Sequence, residues 1–285
     1  MAHTPKVVLI TGCTKGGIGY ALASEFAAQK CKVWASARRI EAMEGLEAKG
    51  CSLVKLDVTD VDSIRAAVDE IVSKDGRIDV LVNNAGAGGA GPLLEVDTKT
   101  ALATYDANVV GPLRVTQPVA RVMIKQRSGL IINVGSVVGT FVTPWSGIYN
   151  SSKSAIHALT DTLRMEVEGF GIKVLLVMPG AVTSGFGQKQ FGSYELKSDT
   201  AYANVKQFIE ERANMGQVSA MPTADFAAKV VHQALKTKPP WHYTAGGRLL
   251  QSFILSSLPL WALSFIFRWR LGTAKVGKSD SKKQV

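Results

Sequence analysis

The chain has 285 residues, 46% of them hydrophobic and 20% charged, which suits one large domain with a sizeable core. That balance excludes a disordered polyelectrolyte, a collagen-like chain and a disulfide-stapled scaffold. The net charge is +10, and seven basic residues against one acid (Asp280) after Thr244 supply +6 of it. A basic tail beside an apolar segment suits an anionic membrane surface better than a nucleic-acid groove, and no recognition-helix or zinc-finger spacing supports nucleic acid. Three cysteines (Cys13, Cys31, Cys51) without CxxC spacing fit a reducing compartment. His3, His232 and His242 make no metal-ligand spacing, so no metal is expected. The apolar run at 7–10 is too short for a secretory signal, and a mature N-terminus is expected.

Nearly continuous Val/Ile/Leu runs at 7–11, 32–37, 52–56, 80–83, 130–134 and 173–178 predict strands covered on both faces. Helical patterns lie between them at 18–29, 61–73, 100–126 and 148–169. This alternation predicts an α/β fold: a single Rossmann-type, doubly wound parallel sheet with helices on both faces. Ligands in such folds bind beyond the carboxyl ends of the strands. The Gly-rich stretch 183–200 reads as a flap or as a surface loop, and helices resume at 201–215 and 224–236. Pro239-Pro240 is expected to close the globular part. Residues 1–245 then form a dinucleotide-binding catalytic domain and 246–285 an apolar, basic C-terminal extension, with 278–285 disordered.

The turn after the first strand reads Thr11-Gly12-Cys13-Thr14-Lys15-Gly16-Gly17-Ile18-Gly19. Glycines there let the backbone approach a pyrophosphate whose charge meets helix N-terminal N–H groups. A carboxylate for a ribose 2′-hydroxyl would be expected about 20 residues on, but Ala37-Arg38-Arg39 stands there. Arg38, helped by Lys15, suits a 2′-phosphate, so NADP(H) is favoured over NAD(H). Asp57 is read as an acceptor for the adenine amino group or as a plain turn residue.

Tyr149 and Lys153 are four apart on one helix face. An ammonium near a phenol lowers a pKa that starts near about 10, which suits proton exchange with an alcohol or ketone. Ser136 ends the fifth strand within reach of the same substrate oxygen, and Asn108 points toward this region. Asn84, Ala85 and Gly86 follow the fourth strand, and Pro179, Gly180, Val182 and Thr183 follow the sixth, all where a dinucleotide would extend. Thr183 is placed to bond a carboxamide. Cys13 reads as a small apolar filler and His157 as a packed or surface histidine.

Together these residues resemble the short-chain dehydrogenase/reductase family over about Lys6 to Lys236. The resemblance implies Tyr149 as acid/base, Ser136 as carbonyl polariser, Lys153 on the nicotinamide ribose and Asn108 holding a proton-relay water. The family's turn usually reads TGxxxGxG. Here it is one residue longer, which leaves open whether Gly16 or Gly17 takes the middle role. The longer turn, ARR and the apolar extension look most like fungal NADPH-dependent 1-acyl-dihydroxyacetone-phosphate reductases. Polyketide ketoreductases and hydroxysteroid or retinol dehydrogenases share the tetrad. The expected activity is NADPH-dependent reduction of a lipophilic ketone, with 1-acyl-dihydroxyacetone phosphate a candidate substrate and Lys189 and Lys197 candidates for its phosphate. The rival reading is a non-catalytic dinucleotide sensor at a lipid surface. A homo-oligomer is left open.

Residues 249–267 carry no charge and are flanked by Arg248, Arg268 and Arg270, but Pro259 interrupts them. Two arms of about 15 Å would each reach halfway through an about 30 Å hydrocarbon core. Monotopic or hairpin insertion at the cytosolic face of the endoplasmic reticulum or a lipid droplet is preferred. Packing on the protein or a partner, with a cytoplasmic location, and a true span are the alternatives.

Overall fold

The computed structural model describes residues 4–185, 196 and 198–278. Seven strands form one parallel sheet in the order β3-β2-β1-β4-β5-β6-β7. They are β1 (Val7–Thr11), β2 (Lys32–Ala37), β3 (Cys51–Lys55), β4 (Val80–Asn83), β5 (Gly129–Val134), β6 (Ile172–Pro179) and β7 (His242–Ala245). Every residue of β1 and β4 is buried, which is why both read as unbroken apolar runs. The order reverses between β1 and β4, so a crevice opens there beyond the strand ends.

On one face lie α1 (Ile18–Ala28) and α7 (Thr223–Ala234), burying Leu22, Phe26, Phe226 and Val230. On the other, α2 (Val61–Asp75) and α4 (Gly111–Gln126) bury Ile64, Ile71, Val115 and Met123. Asp60 starts α2 by accepting from the N–H groups of Asp62 and Ser63, and left-handed Gly76 ends it. α5 (Gly147–Val167) carries Tyr149 and Lys153, and α6 (Lys206–Asn214) lies near the C-terminal segment.

Two expectations need correction. The helix expected over 100–126 is α3 (Thr98–Tyr105), a π turn (Asp106–Val110) and α4. Composition alone does not reveal that widening, because all three pieces share helical periodicity. Pro239-Pro240 does not close the globular part: β7 follows and pairs with β6 through Leu176–His242 to Pro179–Ala245. At the sheet edge β7 needs little apolar character, so its four residues gave no strand signal.

The C-terminal segment forms α8 (Leu249–Ser257) and α9 (Leu260–Arg270), broken at Pro259 as expected. One stripe, Leu263, Phe267 and Leu271, is buried with Trp145, Val205 and Ile209. Trp145 Nε1 donates to the Leu271 carbonyl at 2.8 Å. The opposite face exposes Leu260, Trp261, Phe265 and Trp269. Among the described residues no helix is long and apolar enough to cross a membrane.

Candidate active site

The loop after β1 is built for close approach. Gly12 has φ +74°, and a Cβ there would stand 2.7 Å from Ala85 Cα. Gly16, φ +78°, makes the turn, whereas Gly17 is the N-cap of α1 with no side-chain hydrogen bond. The extra residue thus divides the work: Gly16 supplies the left-handed turn and Gly17 lines the crevice. Gly19 lets α1 pack on the loop, since its Cβ would meet the Gly12 carbonyl oxygen at 2.5 Å. Thr11 Oγ1 accepts from the N–H groups of Asn84 and Ala85, both at 3.0 Å. Asn84 Nδ2 donates to the Thr11 and Gly12 carbonyls, so the turns after β1 and β4 hold each other. Cys13 is buried, its thiol pushed up to about 12 by burial, which fits a filler and not a nucleophile.

After β2, Ala37 is buried and Arg38 exposed, and Arg38 has no ion pair among the described residues. Lys15, the second cation expected, also borders the crevice and is ion-paired with Glu44 at 3.0 Å. Both side chains are largely exposed, and such a pair is weak enough to yield to a phosphate. Asp57 lines the crevice while Oδ1 accepts from Thr59 N–H at 3.0 Å and Oγ1 at 2.8 Å, an Asx turn.

At the other end, Ser136 caps the turn after β5, and its hydroxyl is hydrogen-bonded to Tyr149. Burial pushes Tyr149 up to about 12, opposed by the Ser136 hydrogen bond and the charge of Arg212. The sequence expectation of a depressed phenol is therefore corrected: burial outweighs the neighbouring charge. Lys153 Nζ donates to the Val134 carbonyl at 3.0 Å and lies 5.7 Å from the Tyr149 ring centroid. Burial lowers Lys153 to about 8. Asn108, in the π turn, is buried. Its Nδ2 donates to Ala87 O at 2.8 Å and Ser152 Oγ at 2.9 Å, and its Oδ1 accepts from Ala87 N–H at 2.7 Å. Its side chain therefore braces the Gly86–Ala87 loop. His157 packs beneath Gly135 and Gly139, and its Nε2 accepts from Ser136 N–H at 3.3 Å. Burial and the Lys153 charge push it down to about 4, so it is a neutral support for Ser136.

One cavity of about 850 Å³ joins the two ends, lined by Thr14, Ile18, Gly86, Pro179, Gly180 and Val182 among others. Thr183 is exposed outside this lining, and Ser184 takes its place. Lys189 and Lys197, with most of the 183–200 stretch, lie outside the described residues. A dinucleotide phosphate fits the described residues: Gly12 leaves no room for a Cβ, and the first N–H groups of α1 face the turn without a side-chain cap. Six cations (Lys15, Arg38, Arg39, Lys153, Arg212, Arg248) line the cavity against one carboxylate, Asp57. Sequence reasoning missed Arg212 and Arg248, and missed Leu255 and Phe267 as walls. One signal was available for Arg212: it falls on the helical stripe of Val205 and Ile209, an apolar position holding a cation.

A dinucleotide crevice ending at a tyrosine, a serine and a lysine defines an oxidoreductase of the Rossmann type. The comparisons agree: the short chain dehydrogenase family model matches residues 6–194. The chain belongs to the short-chain dehydrogenase/reductase family. It is 37% identical over 281 residues to short-chain dehydrogenase PC-15 of Penicillium crustosum, covering 97% of this chain and 99% of that one. It is 33% identical over 241 residues to an NADPH-dependent 1-acyldihydroxyacetone phosphate reductase of Schizosaccharomyces pombe, covering 83% and 80%. A crystal structure of a Streptomyces avermitilis short-chain dehydrogenase superposes with a TM-score of 0.79 at 28% identity, covering 98% and 100%.

Proposed function

We propose that the chain is an NADP(H)-dependent carbonyl reductase acting on a lipophilic ketone. The observation that carries this reading is the hydrogen-bonded Tyr149–Ser136 pair, with Lys153 beside it, at one end of a cavity whose other end presents Arg38. Gly12, Gly17 and Ile18 would hold the pyrophosphate, Arg38 the 2′-phosphate, Asp57 the adenine, and Ala85, Gly86, Pro179, Gly180 and Val182 the rest of the dinucleotide. Lys153 would hold the nicotinamide ribose. When bound, NADPH supplies the hydride. Tyr149, protonated at neutral pH, donates its phenolic proton to the substrate oxygen. The Ser136 hydroxyl donates to the same oxygen and fixes its position. The lining by Phe141, Leu255 and Phe267 supports an apolar substrate. The named Schizosaccharomyces relative supports 1-acyl-dihydroxyacetone phosphate, reduced to 1-acylglycerol 3-phosphate, as the first substrate to try.

The test is NADPH oxidation over a panel of ketones, this one included, with purified full-length protein. Consumption dependent on a ketone supports the reading, and binding of NADPH without turnover of any ketone sinks it in favour of a dinucleotide sensor. For the cofactor, Arg38→Asp should reduce the preference for NADPH over NADH by about a hundredfold. Equal losses with both cofactors, read as kcat/KM, would remove Arg38 from the 2′-phosphate site.

A second reading rests on the outer face of α8 and α9, where Leu250, Phe253, Trp261, Phe265 and Trp269 are exposed beside Arg268 and Arg270. Aromatics next to cations suit shallow insertion into an anionic lipid surface, such as the cytosolic face of the endoplasmic reticulum or a lipid droplet. The full chain should float with phosphatidylcholine–phosphatidylserine vesicles. Changing Trp261, Phe265 and Trp269 together to serine should weaken that binding at least about a hundredfold, because three large apolar side chains are withdrawn. Wild-type protein left at the bottom of the gradient refutes the surface reading.

A further inference from the structure

Arg212 lies on the buried side of α6 with Ile209 and Ala213, and is 8% exposed. It lines the same cavity as Tyr149, and its charge reaches the phenol. Its Nε donates to Thr143 Oγ1 at 2.9 Å. That oxygen also accepts from Asn150 Nδ2 at 3.1 Å, so Thr143 ties the guanidinium to the helix that carries Tyr149. Among the described residues Arg212 has no carboxylate partner. A buried guanidinium without a counter-charge is costly to keep, and nothing in the packing of α6 requires one, since an apolar residue would continue its stripe. A guanidinium has five N–H donors, and Thr143 takes one of them. The others form a planar fork that matches two oxygens of a phosphate or carboxylate.

We propose that Arg212 is a specificity-determining residue that binds an anionic oxyacid group, phosphate or carboxylate, carried by the substrate within a few bonds of the carbonyl that Tyr149 serves. The inference rests on the reductase reading and narrows its substrate class. The long chain of such a substrate then has Leu255 and Phe267 as apolar walls of the same cavity. An anion at this place does two things. It neutralises the guanidinium, and it fixes the carbonyl against the Tyr149–Ser136 pair, so the preference appears in kcat/KM and not in binding alone.

Wild-type protein, Arg212→Lys and Arg212→Met are compared on matched ketones: an acyl-dihydroxyacetone with and without its phosphate, and a 3-oxo acid with its methyl ester. Wild type should prefer the anionic member of at least one pair, and which pair tells phosphate from carboxylate. Arg212→Met should collapse that preference by about a hundredfold, while Arg212→Lys, which keeps the charge without the fork, keeps part of it. Equal losses on both members of each pair, or no anionic preference in wild type, overturn the proposal. Calorimetric titration with 1-acylglycerol 3-phosphate and with a 3-hydroxy acid gives a readout without turnover. Binding of either that Arg212→Met abolishes supports the anion site even if no ketone is reduced, an outcome that would sink the reductase reading alone. Reduction of neutral ketones without any anion preference sinks the Arg212 proposal alone.

Discussion

Tyr149→Phe should lower the single-turnover rate of ketone reduction by about a thousandfold while leaving NADPH affinity within about threefold of wild type. The substitution deletes one oxygen from a half-buried ring and leaves the rest of the ring's packing in place. In the reading proposed above that oxygen is the acid: burial holds the phenol at about 12, so at neutral pH it carries its proton and can give it to a developing alkoxide. Among the described residues beside it no other group can substitute. Ser136 has an alcohol's acidity, His157 is held neutral with its Nε2 accepting from the Ser136 N–H, and Lys153 is fixed on the Val134 carbonyl. Cofactor affinity should survive, because Gly12, Gly17 and Arg38 hold the far end of the cavity. Rapid-mixing NADPH fluorescence separates the two quantities. A rate within tenfold of wild type would remove Tyr149 from proton transfer.

Six of the seven strands were legible because each carries a run of apolar residues, although β3 at the sheet edge is only partly buried. The residues of the tetrad were legible for a different reason: their chemistry is rare at those spacings on a doubly wound sheet. What sequence could not give is environment. Tyr149 and Lys153 read as a coupled pair in which the amine lowers the phenol, yet burial, which no spacing encodes, sets both groups. The partner of Lys15, Glu44, was not foreseen because it lies 29 residues on. Asn108 was found as a residue but not as a brace, since its role depends on a π turn and on contacts with Ala87 and Ser152 across the fold. The apolar C-terminal run left packing on protein and contact with lipid as alternatives because hydropathy does not say which face of a helix meets protein.

Phe267→Ala should destabilise the protein by about 3–5 kcal/mol, the usual range for emptying a buried phenylalanine site. In a chain of this size that is a fall in melting temperature of about 10 °C. Phe267 is 4% exposed and sits in the middle of the Leu263–Phe267–Leu271 stripe. One side of it meets the core around Trp145 and Ile209, and another lines the substrate cavity. The same truncation at Phe265, two residues away and 67% exposed, should change stability by no more than about 0.5 kcal/mol. The contrast discriminates because the residue type and the helix are shared and only the face differs. If residues 246–285 were an appendage that touches only lipid, both variants would melt with wild type. If α9 is part of the enzyme, only Phe267→Ala melts early, and it should also raise KM for long-chain ketones, because the wall against which the chain lies is gone. Removing the segment whole would not separate its two faces, since the buried stripe and the exposed aromatics would be lost together.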